Sequence, residues 1–167
     1  EDSLKDHALH SSADLLIYVS GDPIQEEEKW IEKTVGITVS SFEDALNISR
    51  KLFSYLFNRK VPLKTNNPDH SGEITLPTNV SEPFDIKECV MRKVLDAGSL
   101  IELYSGWNDV LKGPGLFTGL ARLNGETIGI IADQPTIISG AADALGTEKF
   151  RFFVEFLNLR NIPLLML

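Results

Sequence analysis

Two apolar runs, residues 117–123 and 127–132, flank an Asn124-Gly125 pair. Asn and Gly both tolerate positive φ, so the pattern predicts a β-hairpin closed by a type I′ turn. The second strand should stop at Asp133-Gln134-Pro135, because Pro135 lacks the amide that a central strand needs. Beyond it, Ser139-Gly140-Ala141-Ala142 is a loop of small side chains that would let a ligand approach the backbone closely. Upstream, Leu46, Leu52, Phe53 and Leu56 recur at helical spacing with Arg50 and Lys51 outward, which predicts a core helix over residues 41–60. Ser41 can cap it, with Asp44 three residues on, and Arg59-Lys60 place positive charge at its far end. Residues 84–95 resume the helical period, with Ile86, Cys89, Val90 and Val94 on one face and Gly98 as the C-cap. A last helix is predicted over residues 148–158, capped by Thr147, with Phe150, Val154 and Leu157 inward. Phe152, Phe153 and Phe156 add bulk, as in a helix buried between layers.

Short apolar runs complete the pattern: residues 15–19, stopped by Gly21-Asp22-Pro23, residues 100–104, and residues 162–167. The order strand, loop, helix, parallel strand is the right-handed crossover unit of an α/β sheet. Ligands in such sheets sit outside the carboxyl ends of strands, where residues 133–142 fall. Pro62, Pro68, Pro77 and Pro83 punctuate a stretch rich in Asn, Ser and Gly, so residues 61–83 read as a linker between residues 1–60 and residues 84–167. The terminal run reads as a buried strand entering a parallel sheet, and with a start at Glu1 this predicts a piece of a longer polypeptide.

Composition narrows the chemistry. Hydrophobic residues make up 43% of the 167, as in ordinary globular proteins. A formal charge of −8 argues against a nucleic-acid surface. No apolar run reaches the roughly 20 residues of a membrane span. Cys89, alone of its kind, excludes an internal disulfide framework and fits a reducing compartment. His7 and His10 could share a helical face, but Ser11-Ser12 interrupts it and no third ligand is spaced to help, so no metal is predicted. Glu26-Glu27-Glu28 reads as a solvated face.

There is no phosphate-binding Gly-rich loop with a Lys-Ser or Lys-Thr pair, no zinc spacing and no hydrolase elbow. Ser139 has no histidine after His70 to activate it. Asp133, Asp143 and Glu148 are acid–base candidates that serve equally as caps or structural partners. The stronger chemical candidate is the backbone, since amides around residues 140–142 could hold a carbonyl oxygen or an enolate.

The run from Gly119 to Leu167 resembles the C-terminal half-domain of biotin-dependent carboxyltransferases, the β-subunits of acyl-CoA carboxylases such as propionyl-CoA carboxylase. The resemblance rests on Arg122 and Gly125 at the turn, and on Ala132-Asp133-Gln134-Pro135, where the family has Ala-Asn-Gln-Pro. It continues through Ser139-Gly140-Ala141-Ala142-Asp143, Thr147-Glu148-Lys149 and Asn161-Ile162-Pro163-Leu164. Residues 84–88 with Asp96-Ala97-Gly98-Ser99 look like the family's way into that half. Residues 41–56 are similar to the helix closing the N-terminal half, and residues 22–34 look inserted.

The resemblance implies an α/β crotonase-like (ClpP-like) spiral of ββα units, with this chain spanning the junction of two such halves. It implies carboxyl transfer between carboxybiotin and an acyl-CoA thioester, at a site between halves of different subunits. Biotin would arrive on a biotin carboxyl carrier or biotin carboxylase subunit, and the chain would join a homo-oligomer, hexamer or dimer, in the cytoplasm or a mitochondrial matrix. Gln134, Pro135, Ser139, Gly140, Ala141 and Ala142 would line the biotin side, and no catalytic side chain is assigned. The family's Gly-rich oxyanion loops would lie outside this segment, which alone should be inactive. Other readings are a sodium-pumping glutaconyl- or methylmalonyl-CoA decarboxylase subunit and a non-catalytic homologue kept for assembly. A cofactor-free hydratase or isomerase would need one spiral only, which the linker and second half oppose.

Overall fold

The computed structural model describes residues 15–19, 35–57, 74, 79, 82–104, 115–137 and 144–167. His7, His10, the Glu26-Glu27-Glu28 run, His70, nearly all of the linker and the loop 139–143 lie outside the described residues. Along the described chain run β1 (Leu16–Val19), β2 (Val35–Val39), α1 (Phe42–Phe57), a π-helical turn (Lys87–Met91) leading into the short α2 (Arg92–Val94), and β3 (Ile101–Glu102). Then come β4 (Leu116–Leu123), β5 (Glu126–Asp133), α3 (Ala144–Asn158) and β6 (Leu164–Met166).

The hairpin forms as its sequence requires. Asn124 and Gly125 sit at φ 52° and 79°, both in the left-handed region a type I′ turn needs. The Asp96 carboxylate accepts the amides of Asn124 at 3.0 Å and Gly125 at 2.7 Å, fastening the turn to the chain after α2. β4 and β5 pair antiparallel from Leu116↔Asp133 to Leu123↔Glu126. β3 adds antiparallel to β4, and β6 adds parallel to β5 after the crossover through α3, giving the order β3-β4-β5-β6. β1 and β2 form a separate parallel pair.

Strand residues alternate between two faces, and each face has its own core. On one, Leu116, Leu120 and Ile131 meet Phe153, Phe156 and Leu157 of α3, together with Ile37, Leu52 and Tyr55. On the other, Phe117, Ala121, Ile128 and Ile130 meet Ile86, Met91 and Leu95. α3 lies close on β5: a Cβ at Gly129 would fall 2.3 Å from Leu157 Cδ1, nearer than real Cβ atoms approach.

Several sequence expectations shift by a position or more, each for a tertiary reason. α1 buries Leu52 and Tyr55, whereas Leu46 and Phe53 of the expected stripe are exposed. The Tyr55 hydroxyl donates to the Ser99 carbonyl and its ring lies 4.5 Å beneath the Arg122 guanidinium, which turns that face inward. Ser41 does cap α1, its Oγ accepting the Asp44 amide at 3.1 Å; the Asp44 carboxylate takes the Ser41 hydroxyl at 2.6 Å. In the 84–95 segment the π turn sets Ile86 and Met91 five positions apart on one face, so Ile86, Met91 and Leu95 are buried while Cys89, Val90 and Val94 are only partly so. Gly98 has the positive φ expected of it, but in an Asp96–Ser99 turn after Leu95 has already become extended.

α3 begins at Ala144, so Thr147 lies within its first turn and is not its cap. Its inner face is Lys149, Phe153, Phe156 and Leu157, with Phe150 and Val154 at the flanks and Phe152 exposed, so it has one buried side only. β6 pairs with β5 as expected but is the outermost strand, and Leu164 and Met166 are exposed, not buried. β2 was not anticipated: in Val35-Gly36-Ile37-Thr38-Val39 a glycine and a threonine dilute a five-residue pattern.

Candidate functional site

The chain leaves β5 at Asp133 and turns at once. The Gln134 amide donates to the Gly115 carbonyl at 2.8 Å, and the Gln134 carbonyl accepts the Ile137 amide at 2.9 Å, so Pro135 sits in a tight turn where it need not donate. Gln134 is buried. Its Oε1 accepts the Ile86 amide at 3.1 Å and its Nε2 donates to Asp85 Oδ1 at 3.1 Å, so the side chain points into the protein and caps the segment before the π turn.

Asp85 starts a run of polar contacts around this open end of the hairpin. Burial works to raise its carboxyl pKa, but bonds from Gln134 and from the Lys87 and Glu88 amides outweigh this and hold it below the ordinary value. Lys87 Nζ lies 2.6 Å from Glu102 Oε2 and 4.9 Å from the centre of the Phe117 ring. Lys149 reaches from the inner face of α3 and donates to the Leu116 carbonyl at 2.7 Å. It is fully buried. Burial pushes its pKa down to about 8, partly offset by the Glu102 charge and reinforced by Lys87. Leu116 pairs with Asp133, one residue before Gln134, so the belt closes on itself.

Next to the belt, a cavity of about 220 Å³ opens at the carboxyl ends of β5 and β6. Leu116, Ile131, Phe150 and Met166 make it apolar, and Asp133 and Thr147 stand at its edge. This is where ligands sit in parallel α/β sheets. A wider and more open hollow of about 760 Å³ lies at the carboxyl end of β2 against the start of α1, between Thr38, Ser40, Asp44 and Lys51. Burial lowers the Lys51 pKa, and its Nζ donates to the Gly98 carbonyl at 2.8 Å.

Of the six residues expected from sequence, Gln134 and Pro135 follow Asp133 of the smaller cavity without lining it, Gln134 turned inward and Pro135 half-buried. Ser139, Gly140, Ala141 and Ala142 lie outside the described residues. Sequence reasoning missed Asp85, Glu102 and Lys149 as parts of one arrangement. Lys149 had a signal: positions 149, 153, 156 and 157 share a helical face, and that face is otherwise aromatic and aliphatic. No group of three or more His, Cys, Asp or Glu among the described residues could hold a metal, and no described helix is long and apolar enough to cross a membrane.

Residues 34–167 match the model of the carboxyl transferase domain. The chain belongs to that family. Among its relatives, the propionyl-CoA carboxylase beta chain of Roseobacter denitrificans is 33% identical over 132 residues, covering 74% of this chain and 25% of the relative. The methylmalonyl-CoA carboxyltransferase 12S subunit of Propionibacterium freudenreichii subsp. shermanii is 30% identical over 137 residues, covering 77% and 25%. A crystal structure of a transcarboxylase 12S hexamer with hydrolyzed methylmalonyl-coenzyme A bound superposes with a TM-score of 0.69 at 27% identity. That superposition covers 84% of this chain and 28% of the other. The chain thus spans about a quarter of the length of these carboxyl transferase relatives. Its fold is the crotonase-like α/β fold of carboxyltransferases. The family match over residues 34–167 contains every segment on which the sequence resemblance rests.

Proposed function

We propose that the chain is part of a biotin-dependent carboxyltransferase subunit, moving a carboxyl group between biotin and an acyl-CoA thioester. The observation that carries this reading is the position of Gln134-Pro135. The family's motif falls at the carboxyl end of β5, directly after Asp133 at the edge of an apolar cavity, on a chain whose residues 34–167 match the carboxyl transferase domain. At about 220 Å³ the cavity is smaller than the roughly 300–1,000 Å³ of a complete small-molecule site, which suits one wall of a site shared between halves or subunits.

In this reading a biotin ring would approach from outside. Gln134 shapes the turn through Asp85 and Ile86, Pro135 offers a rigid surface, and the small residues Ser139 to Ala142 follow in sequence. Biotin, when bound, supplies the carboxyl group that is passed on. A biotin carboxyl carrier or biotin carboxylase subunit would bring it, and residues 61–83 would separate two crotonase-like halves. The site of action would be the cytoplasm or, in a eukaryote, the mitochondrial matrix. The chain would also assemble with copies of itself, as the hexameric 12S relative does. The exposed apolar stripe Phe42, Leu46, Phe53 and Phe57 on α1 supports this.

The test is label exchange between biotin and malonyl- or methylmalonyl-CoA by the intact parent polypeptide. Gly140→Val, which puts a branched side chain in the small-residue loop, is expected to abolish the exchange. Wild-type exchange surviving that change would remove the loop from the site. A folded parent that exchanges no label would favour the non-catalytic reading.

A further inference from the structure

Lys149 is a fully buried lysine with no route to a substrate, so its ammonium is unsuited to react and well suited to hold. It donates to the Leu116 carbonyl at 2.7 Å, and Leu116 pairs with Asp133 at the last rung of the hairpin. One step further, Gly115 accepts the Gln134 amide at 2.8 Å. On the far side, Glu102 attracts Lys149 and ion-pairs with Lys87 at 2.6 Å. The Lys87 amide in turn meets Asp85 Oδ1 at 2.9 Å, the same oxygen that receives Gln134 Nε2. Gln134 is therefore gripped from two directions, and both paths run through the charges around Lys149.

We propose that Lys149 is a positioning residue, whose buried ammonium holds the Leu116 end of the hairpin through the Leu116 carbonyl and so sets the place of the Gln134-Pro135 turn. The proposal rests on the carboxyltransferase reading for its consequence in catalysis, but not for its structural part. The charged groups facing Lys149 among the described residues are Glu102 of β3 and Lys87 of the π turn; β4 contributes none, and Asp133 at the end of β5 is exposed. Lys149 loses its proton as pH rises through about 8. The attraction to Glu102 then disappears.

The experiment uses the full-length polypeptide with Lys149→Met, which is apolar and of similar length, and Lys149→Arg, which keeps the charge. Amide hydrogen exchange, corrected for its intrinsic pH dependence, reports Gln134 and Asp133. Label exchange between biotin and methylmalonyl-CoA reports catalysis. Lys149→Met is expected to lower Gln134 protection at least tenfold and kcat at least tenfold, with KM for the thioester within twofold. Lys149→Arg should recover part of both. Wild-type kcat should fall as pH rises through about 8, and the Lys149→Met profile should be flat there. Gln134 protection within twofold of wild type in Lys149→Met would overturn the proposal.

If Lys149→Met does not fold, Glu102→Gln decides. Removing the counter-charge should move the alkaline loss of Gln134 protection to lower pH, and an unmoved midpoint counts against the role. A wild type that transfers no label refutes the carboxyltransferase reading, while the exchange measurement still decides the positioning role.

Discussion

Thr127 and Arg122 face each other across the hairpin and show how differently two buried polar residues can be treated. Arg122 donates Nη1 to the Gly125 carbonyl and Nη2 to the Ser54 carbonyl, both at 3.0 Å, and lies over the Tyr55 ring. Its charge is thus shared among partners. Burial raises the Tyr55 pKa despite the nearby guanidinium, which keeps the hydroxyl a donor to Ser99. Thr127 Oγ1, by contrast, is buried with no hydrogen-bond partner. An unsatisfied buried hydroxyl costs roughly 1–3 kcal/mol. Valine has the same shape and a strand preference at least as strong. Thr127→Val should therefore raise unfolding stability by about 1 kcal/mol, read as a higher urea midpoint at unchanged slope. A lower midpoint would mean that the hydroxyl does have a partner.

The hairpin is the element that β3, β6 and α3 pack against, and Asp96 is its external clasp. Its carboxylate accepts both turn amides, and its own amide donates to the Arg122 carbonyl at 2.9 Å. Asp96→Ala hands the Asn124 amide to water, because Asn124 is exposed, but takes the partner from the amide of buried Gly125, so the expected loss is about 1–2 kcal/mol. Asp96→Asn keeps one acceptor oxygen and should lose about half as much. Denaturant titration checks this, and equal stabilities for the alanine and asparagine variants would show that charge, not geometry, matters. The hairpin was legible in the sequence because Asn124-Gly125 encodes its turn locally. Local signals also gave the Ser41 cap and the end of β5 before Pro135. What the sequence hid depends on distant partners: the inward turn of Tyr55 on α1, the π turn that brings in Met91, and the Lys149 face of α3. The candidate site follows the same division. Gln134-Pro135 could be found as a motif, but the burial of the Gln134 side chain depends on Asp85, 49 residues away.

At the scale of the molecule, one core joins Ile37, Leu52 and Tyr55 to the sheet of β3–β6, and the opposite side of α1 is left apolar and uncovered. Phe42, Leu46, Phe53 and Phe57 are spaced four, seven and four residues apart, which places them on one helical stripe. Phe42, Phe53 and Phe57 are 71%, 63% and 68% exposed, and the Phe53 and Phe57 ring centres lie 4.2 Å apart. Scattered exposed apolar residues need no explanation, but three exposed phenylalanines and a leucine sharing one helix face, interrupted only by Ser49 and Arg50, mark an interaction surface. A second copy is the occupant proposed above. The stripe alone is less than the roughly 800 Å² each partner buries in a standard interface, so it would form the centre of a larger contact. Burying each phenylalanine would contribute roughly 1.5–3 kcal/mol. Phe53→Asp with Phe57→Asp in the full-length polypeptide should then weaken self-association at least a hundredfold by sedimentation. Because both side chains are exposed on the single chain, its circular dichroism and cooperative melting should persist. An unchanged oligomer distribution at submicromolar concentration would place the interface elsewhere.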